Sequence, residues 1–173
     1  PLLSGGEQER GLRSGTENVP AIVGFGKAVD IALEDLEAEG TRLTALRDAF
    51  IKGILEKVKH THLNGHPAKR LPNNVNIGIG FVRGDSVALG LDVEGVAVST
   101  GSACSSGSAG PSSVLMAMGI SKDDARSSLR FSLGRDTSQE IVNYVLEILP
   151  TGVERVRKMS PAYDKFLKEG GKK

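Results

Sequence analysis

Apolar residues recur every three to four positions along the first third of this chain. Ile22, Val23, Phe25, Gly26, Val29, Ala32, Leu33 and Leu36 share one helical face, with Lys27, Asp30, Glu34, Asp35 and Glu37 opposite. Thr16 or Asn18 can cap this helix, and Pro20 suits a first turn, where its missing N–H costs nothing. Gly40 weakens the pattern, which resumes with Leu43, Leu46, Phe50, Ile51, Ile54, Leu55 and Val58. The spacing predicts one long bent helix, of the kind that crosses between two domains.

The period then changes. His60 to Pro67 holds all three histidines around an Asn64-Gly65 turn and reads as a solvated connector, because no second cluster of Cys, Asp or Glu completes a metal set. Val75, Ile77, Ile79 and Phe81 alternate with Asn76, Gly78 and Gly80, as in a half-buried strand. Asp85 caps a short helix from Ser86 to Leu91, and Val96-Ala97-Val98 reads as a short buried strand. Pro111 opens a helix through Val114, Leu115 and Met118 that Gly119 stops. Ser128 to Leu133 alternates again, with Ser128, Arg130 and Ser132 on one face and Leu129, Phe131 and Leu133 on the other. Thr137-Ser138-Gln139-Glu140 reads as a capping box. The helix after it carries Ile141, Tyr144, Val145, Ile148 and Leu149 on one face until Pro150 and Gly152 interrupt it. A last helical stretch runs through Val153, Val156 and Met159, and Gly170 to Lys173 reads as a frayed tail. The sum is an α/β fold: about three short, mostly antiparallel strands, covered on one face by helices.

Composition narrows the function. At 173 residues, with 39% hydrophobic and 25% charged side chains, the chain can bury a core and is not a disordered tract. A net charge of +1 with interspersed signs gives no electrostatic reason for nucleic acid or membrane binding. Aromatics are only 4%, which argues against a base-stacking platform. No apolar run reaches the roughly 20 residues that span a bilayer, and the single cysteine fits a reducing, cytoplasmic setting. Pro1-Leu2-Leu3 passes straight into Ser4-Gly5-Gly6 without a methionine, which we read as the interior of a longer protein.

Chemistry concentrates at three places. Cys104 lies in Ser99-Thr100-Gly101-Ser102-Ala103-Cys104-Ser105-Ser106-Gly107-Ser108, a run with no bulky or charged side chain. A packing cysteine belongs among Val, Ile and Leu. A thiol on a pliable polar segment suits a nucleophile that must reach, react and move away; a surface cysteine in a linker is the alternative. Its reactivity requires thiolate, and no histidine is near in sequence, so an outside cation or cofactor is the better activator. Arg130, on a strand among serines, suits an anion or carboxylate fork, or else a surface salt bridge. Arg10 to Thr16 offers glycine freedom, a hydroxyl and a helix start, all suited to phosphate, but it is not a Walker loop.

Three separated motifs, residues 6–18 (Gly-Glu-Gln-Glu-Arg-Gly-Leu-Arg-Ser-Gly-Thr-Glu-Asn), 99–108 and 128–137 (Ser-Leu-Arg-Phe-Ser-Leu-Gly-Arg-Asp-Thr), together resemble the C-terminal part of the cysteine desulfurases. Arg70-Leu71-Pro72-Asn73-Asn74-Val75-Asn76-Ile77 is also similar to that family. These are pyridoxal-phosphate enzymes of the class V aminotransferase fold. The resemblance implies the small C-terminal domain of a fold-type I enzyme, with residues 1–35 ending the cofactor-binding large domain and forming a dimer arm. Residues 36–173 would be the small domain that carries the cysteine segment. It makes Cys104 the residue that takes sulfur from L-cysteine as a persulfide, and Arg130 the grip on the substrate carboxylate. Thr16 would hydrogen-bond the cofactor phosphate in the neighbouring subunit of a homodimer. The sulfur would pass to an iron–sulfur scaffold protein or another acceptor, and in some members the cysteine is a transient [2Fe-2S] ligand shared with the scaffold.

A segment of about a dozen residues, each spanning at most about 3.3–3.6 Å, has the reach to carry sulfur from a closed pocket to a partner. In the family, the lysine that bonds the cofactor, the histidine that stacks on it and the aspartate that pairs with its ring nitrogen lie upstream of Pro1, so this polypeptide alone is expected to be inactive. Family members often carry a histidine where this chain has Ser113. A selenocysteine lyase or cysteine-sulfinate lyase is the alternative within the class. A non-catalytic sulfur-relay or docking domain and a thiol redox sensor are the alternatives outside it.

Overall fold

The computed structural model describes residues 1–100 and 110–171. The chain divides into two compact units, Pro1–Glu39 and Gly40–Lys173. Helix α1 (Val19–Lys57) is continuous through Gly40, as the spacing predicts. Asn18, not Thr16, caps it: its Oδ1 accepts the Ala21 N–H at 3.1 Å.

In the first unit, the segment before α1 folds back on itself. Leu2 N–H donates to the Leu12 carbonyl at 2.8 Å, and Leu3 bridges Arg13. Ser14 Oγ donates to the Gly6 carbonyl at 2.6 Å, and Gly15 N–H donates to Gln8 Oε1 at 3.2 Å.

The second unit is built on an antiparallel sheet ordered β1-β2-β4-β3. Its strands are β1 (Thr61–Leu63), β2 (Asn74–Ile79), β3 (Ser99–Thr100) and β4 (Ser128–Ser132). Val75 pairs with Phe131 and Ile77 with Leu129, so side chains that alternate along each strand meet on one face. That face packs on Phe50, Ile51 and Ile54 of α1, on Val87 and Leu91 of α2 (Gly84–Val93), and on α5 (Gln139–Arg157). Two short helices, α3 (Ser113–Ala117) and α4 (Lys122–Arg126), precede β4, and α6 (Pro161–Lys168) follows α5. Among the described residues no helix is long and apolar enough to cross a membrane.

Several expectations change. The histidine connector contains β1, which pairs Leu63 with Ile77 and lays His62 over Gly78, where any Cβ would collide with the imidazole ring. The strand expected at Val96–Val98 forms instead at Ser99–Thr100. The earlier residues are spent closing α2: Gly95, at φ +78°, lets its own N–H reach the Asp92 carbonyl and Val96 N–H reach that of Leu91, each at 2.9 Å. Helix α2 starts at Gly84 with Asp85 inside its first turn, where the carboxylate accepts from Arg83 and from Ser86 N–H. Helix α4 was not foreseen; Ser121 caps it by accepting from Asp124 N–H.

Ser138 caps α5, accepting from Ile141 N–H, while Thr137 Oγ1 accepts from Gly134 N–H, so the cap falls one residue later than expected, and Ile141 takes the position that Glu140 would hold in a capping box. Of the two adjoining apolar stripes on α5, the one that docks is Val142, Val145, Leu146, Leu149 and Val153; Ile141 and Tyr144 stay exposed. That stripe runs past Pro150, which explains why the helix does not break there. The missing N–H and the ring's clash with the preceding turn are outweighed by burial on both sides. Farther along, the buried Arg157 donates to the Lys59 carbonyl at 2.6 Å and to that of Gly80 at 3.3 Å, pinning the helix end.

Two substitutions test this account by urea denaturation of this chain. Leu149→Ala is expected to lower stability by about 2–5 kcal/mol. Pro150→Ala is expected to raise it by about 1–2 kcal/mol, the restored helical bond exceeding the entropy released to the unfolded chain; an unchanged midpoint would mean that the helix does not pass intact through residue 150. Arg83 holds the Asp85 carboxyl below the ordinary carboxylate range through a hydrogen bond. Its contribution is therefore complete above that range and is lost as pH falls through the lowered value. Asp85→Asn is expected to flatten the acid limb of stability against pH.

Candidate active site

The second face of the sheet is polar, and β4 decides what it displays. With Leu129 and Phe131 turned into the core, Ser128, Arg130 and Ser132 face the other way, as the alternation predicts. The register places Arg130 between Asn76 of β2 and Ser99 of β3. Its Nη2 donates to Ser99 Oγ at 3.1 Å. All three side chains are half-buried, so the guanidinium is both held and accessible.

Behind this row lies a buried polar network. Ser128, 1% exposed, donates through Oγ to the Asp124 carbonyl at 2.7 Å, joining β4 to α4. Asn64, 4% exposed, donates through Nδ2 to Ser128 Oγ at 2.9 Å and to Asn76 Oδ1 at 2.8 Å. Arg70 ties the turn after β1 to β2, donating to the carbonyls of Asn64 and Asn74. Burial, and then the neighbouring Arg47, hold its pKa below the ordinary arginine value.

Two of the three expected site residues, Arg130 and Thr16, lie among the described residues. Arg130 is on the polar face, bonded to Ser99 rather than to a surface carboxylate. Cys104, both as nucleophile and as cluster ligand, lies outside the described residues; the chain reaches its segment through Thr100, which pairs with Leu129. Thr16 is exposed in the first unit, with no hydrogen-bond partner among the described residues. Asn64, Asn76, Ser99 and Ser128 were not singled out. The period-two pattern of β2 carried the signal for Asn76, whereas Asn64 was legible only as a turn residue. Among the described residues no group of three His, Cys, Asp or Glu could hold a metal ion.

This sheet belongs to a known class. The family model Aminotransferase class-V matches residues 4–145, and the chain belongs to that family. It is 52% identical over 163 residues to Cysteine desulfurase IscS 1 of Archaeoglobus fulgidus, covering 94% of this chain and 42% of that protein. It is 50% identical over 161 residues to Cysteine desulfurase IscS of Methanosarcina thermophila, covering 93% and 40%. The chain thus spans about two-fifths of the length of these curated relatives. A solved NifS-like protein superposes with a TM-score of 0.77 at 33% identity, over 90% of this chain and 39% of that one. A second NifS-like protein, from Rickettsia africae, gives 0.76 at 28% identity, over 89% and 40%. The α/β architecture with its small antiparallel sheet is that of these fold-type I proteins.

Ser128→Ala tests the network. It leaves one Asn64 N–H without its acceptor and the Asp124 carbonyl with the Ser127 hydroxyl alone, and is expected to cost about 1–3 kcal/mol in urea denaturation.

Proposed function

We propose that this chain is the C-terminal portion of a pyridoxal-phosphate-dependent cysteine desulfurase. In this reading residues 1–35 end the large domain and form a dimer arm, and residues 36–173 are the small domain. The observation that carries it is Arg130 held in the open on the polar face by Ser99, five residues before the chain's one cysteine.

The residues present fit one end of the cofactor. Thr16 follows Gly15, at φ +118°, and because Asn18 takes the helix cap its hydroxyl is left to receive a phosphate oxygen of the neighbouring subunit's cofactor. The strand residues of the polar face include no lysine, so these strands do not supply the covalent attachment. When bound, pyridoxal phosphate supplies an electron sink at the substrate α-carbon.

The work of this chain is then grip and attack. Arg130 holds the α-carboxylate of L-cysteine through paired N–H donors. The Cys104 thiolate attacks the substrate sulfur; an S–S bond forms as the carbon–sulfur bond breaks. The electron pair returns to carbon, which takes a proton and leaves as L-alanine, and the sulfur remains as a persulfide on Cys104. That attack needs the reacting atoms within about 3–3.5 Å. Transfer to a scaffold protein for iron–sulfur cluster assembly, or to another acceptor, completes the cycle. In the first case Cys104 would also serve transiently as a [2Fe-2S] ligand. A homodimer working in the cytoplasm accords with the single cysteine and with Thr16's role across subunits.

The test uses the full-length protein loaded with cofactor. Cys104→Ser is expected to cut sulfide release from L-cysteine by at least about a thousandfold while cofactor absorbance is unchanged. Arg130→Lys is expected to raise KM by about 10- to 100-fold. Sulfide release that survives Cys104→Ser overturns the assignment.

A further inference from the structure

We propose that Asn76 and Ser99 complete, with Arg130, a three-donor cradle for the α-carboxylate of the amino-acid substrate. The inference rests on the desulfurase reading and adds two substrate-binding residues to it.

Ser128 has one hydroxyl proton and spends it on the Asp124 carbonyl. Its oxygen therefore accepts from Asn64, which fixes the Asn64 amide with its NH2 toward Ser128 and Asn76. Asn76 must then present its carbonyl oxygen to Asn64, and its own NH2 is turned away from the network. Among the described residues that NH2 has no acceptor. On the other side of Arg130, Ser99 Oγ accepts from the guanidinium, and among the described residues its hydroxyl proton has no acceptor either.

Three adjacent strands thus place a guanidinium, an amide NH2 and a hydroxyl in one row, each with a donor to offer. The strand residues on this face include no acidic side chain, so no strand carboxylate competes for them. A row of donors backed by a network that cannot reverse its polarity calls for an anionic acceptor. A planar carboxylate gripped by the guanidinium keeps further lone pairs for the flanking groups.

Asn76→Asp is the discriminating variant in the full-length protein loaded with cofactor. It keeps the oxygen that Asn64 needs and replaces the outward NH2 by a second oxygen. KM for L-cysteine is expected to rise about 30-fold or more, with kcat within about threefold of the wild type. Calorimetric titration with L-alanine, which retains the carboxylate, should show the same loss in Kd, whereas L-alaninamide should bind wild type and variant alike. Should Asn76→Asp fail to fold, Ser99→Ala carries the test: a KM increase of about fivefold that Ser99→Thr reverses.

Wild-type protein that releases no sulfide from L-cysteine overturns the desulfurase reading itself. Active wild type whose variants bind L-alanine normally, or lose kcat at unchanged Kd, overturns the cradle and leaves that reading standing.

Discussion

The antiparallel pairing of β2 with β4 is the constraint on which the rest of the second unit depends. Because side chains alternate along a strand, one register decides two faces at once. With Val75 against Phe131 and Ile77 against Leu129, the apolar face meets α1, α2 and α5. The same register sets Asn76 beside Arg130. A slip of one residue would bury the guanidinium and expose the core, so the hydrophobic effect that folds the unit also aims Arg130.

Function is layered onto this pairing by a bonded polar network behind the site and by groups in front of it that, among the described residues, keep donors unspent. Ser128 bonds the Asp124 carbonyl and accepts from Asn64, which also donates to Asn76, in surroundings where an unmet group costs more than a net bond gains. Asn76, Arg130 and Ser99 stand at the open edge of that network. The proposed reaction needs little more from this face than a firm hold on the end of the substrate that does not react. Binding energy realised there can be used to align the sulfur that does.

Period-based reading recovered what periodicity encodes. The length of α1, the facing of β2 and β4 and the separation of Arg130 from Leu129 and Phe131 all follow from spacing. What was missed depends on partners distant in sequence. Pro150 reads as a break because local rules forbid it mid-helix, and only the sheet beneath Leu149 and Val153 and the carbonyls awaiting Arg157 override them. Val96–Val98 has strand composition, yet Gly95 and Val96 are recruited to end α2. The network at the site was illegible for the same reason: Asn64 meets Ser128 across 64 residues of chain, and neither residue type is unusual where it stands.

The brevity of β1 carries a separate consequence. It has three residues and forms one margin of the described sheet. A margin so short offers a foreign chain few backbone groups to register against. Along this side the domain therefore resists recruitment into larger ladders.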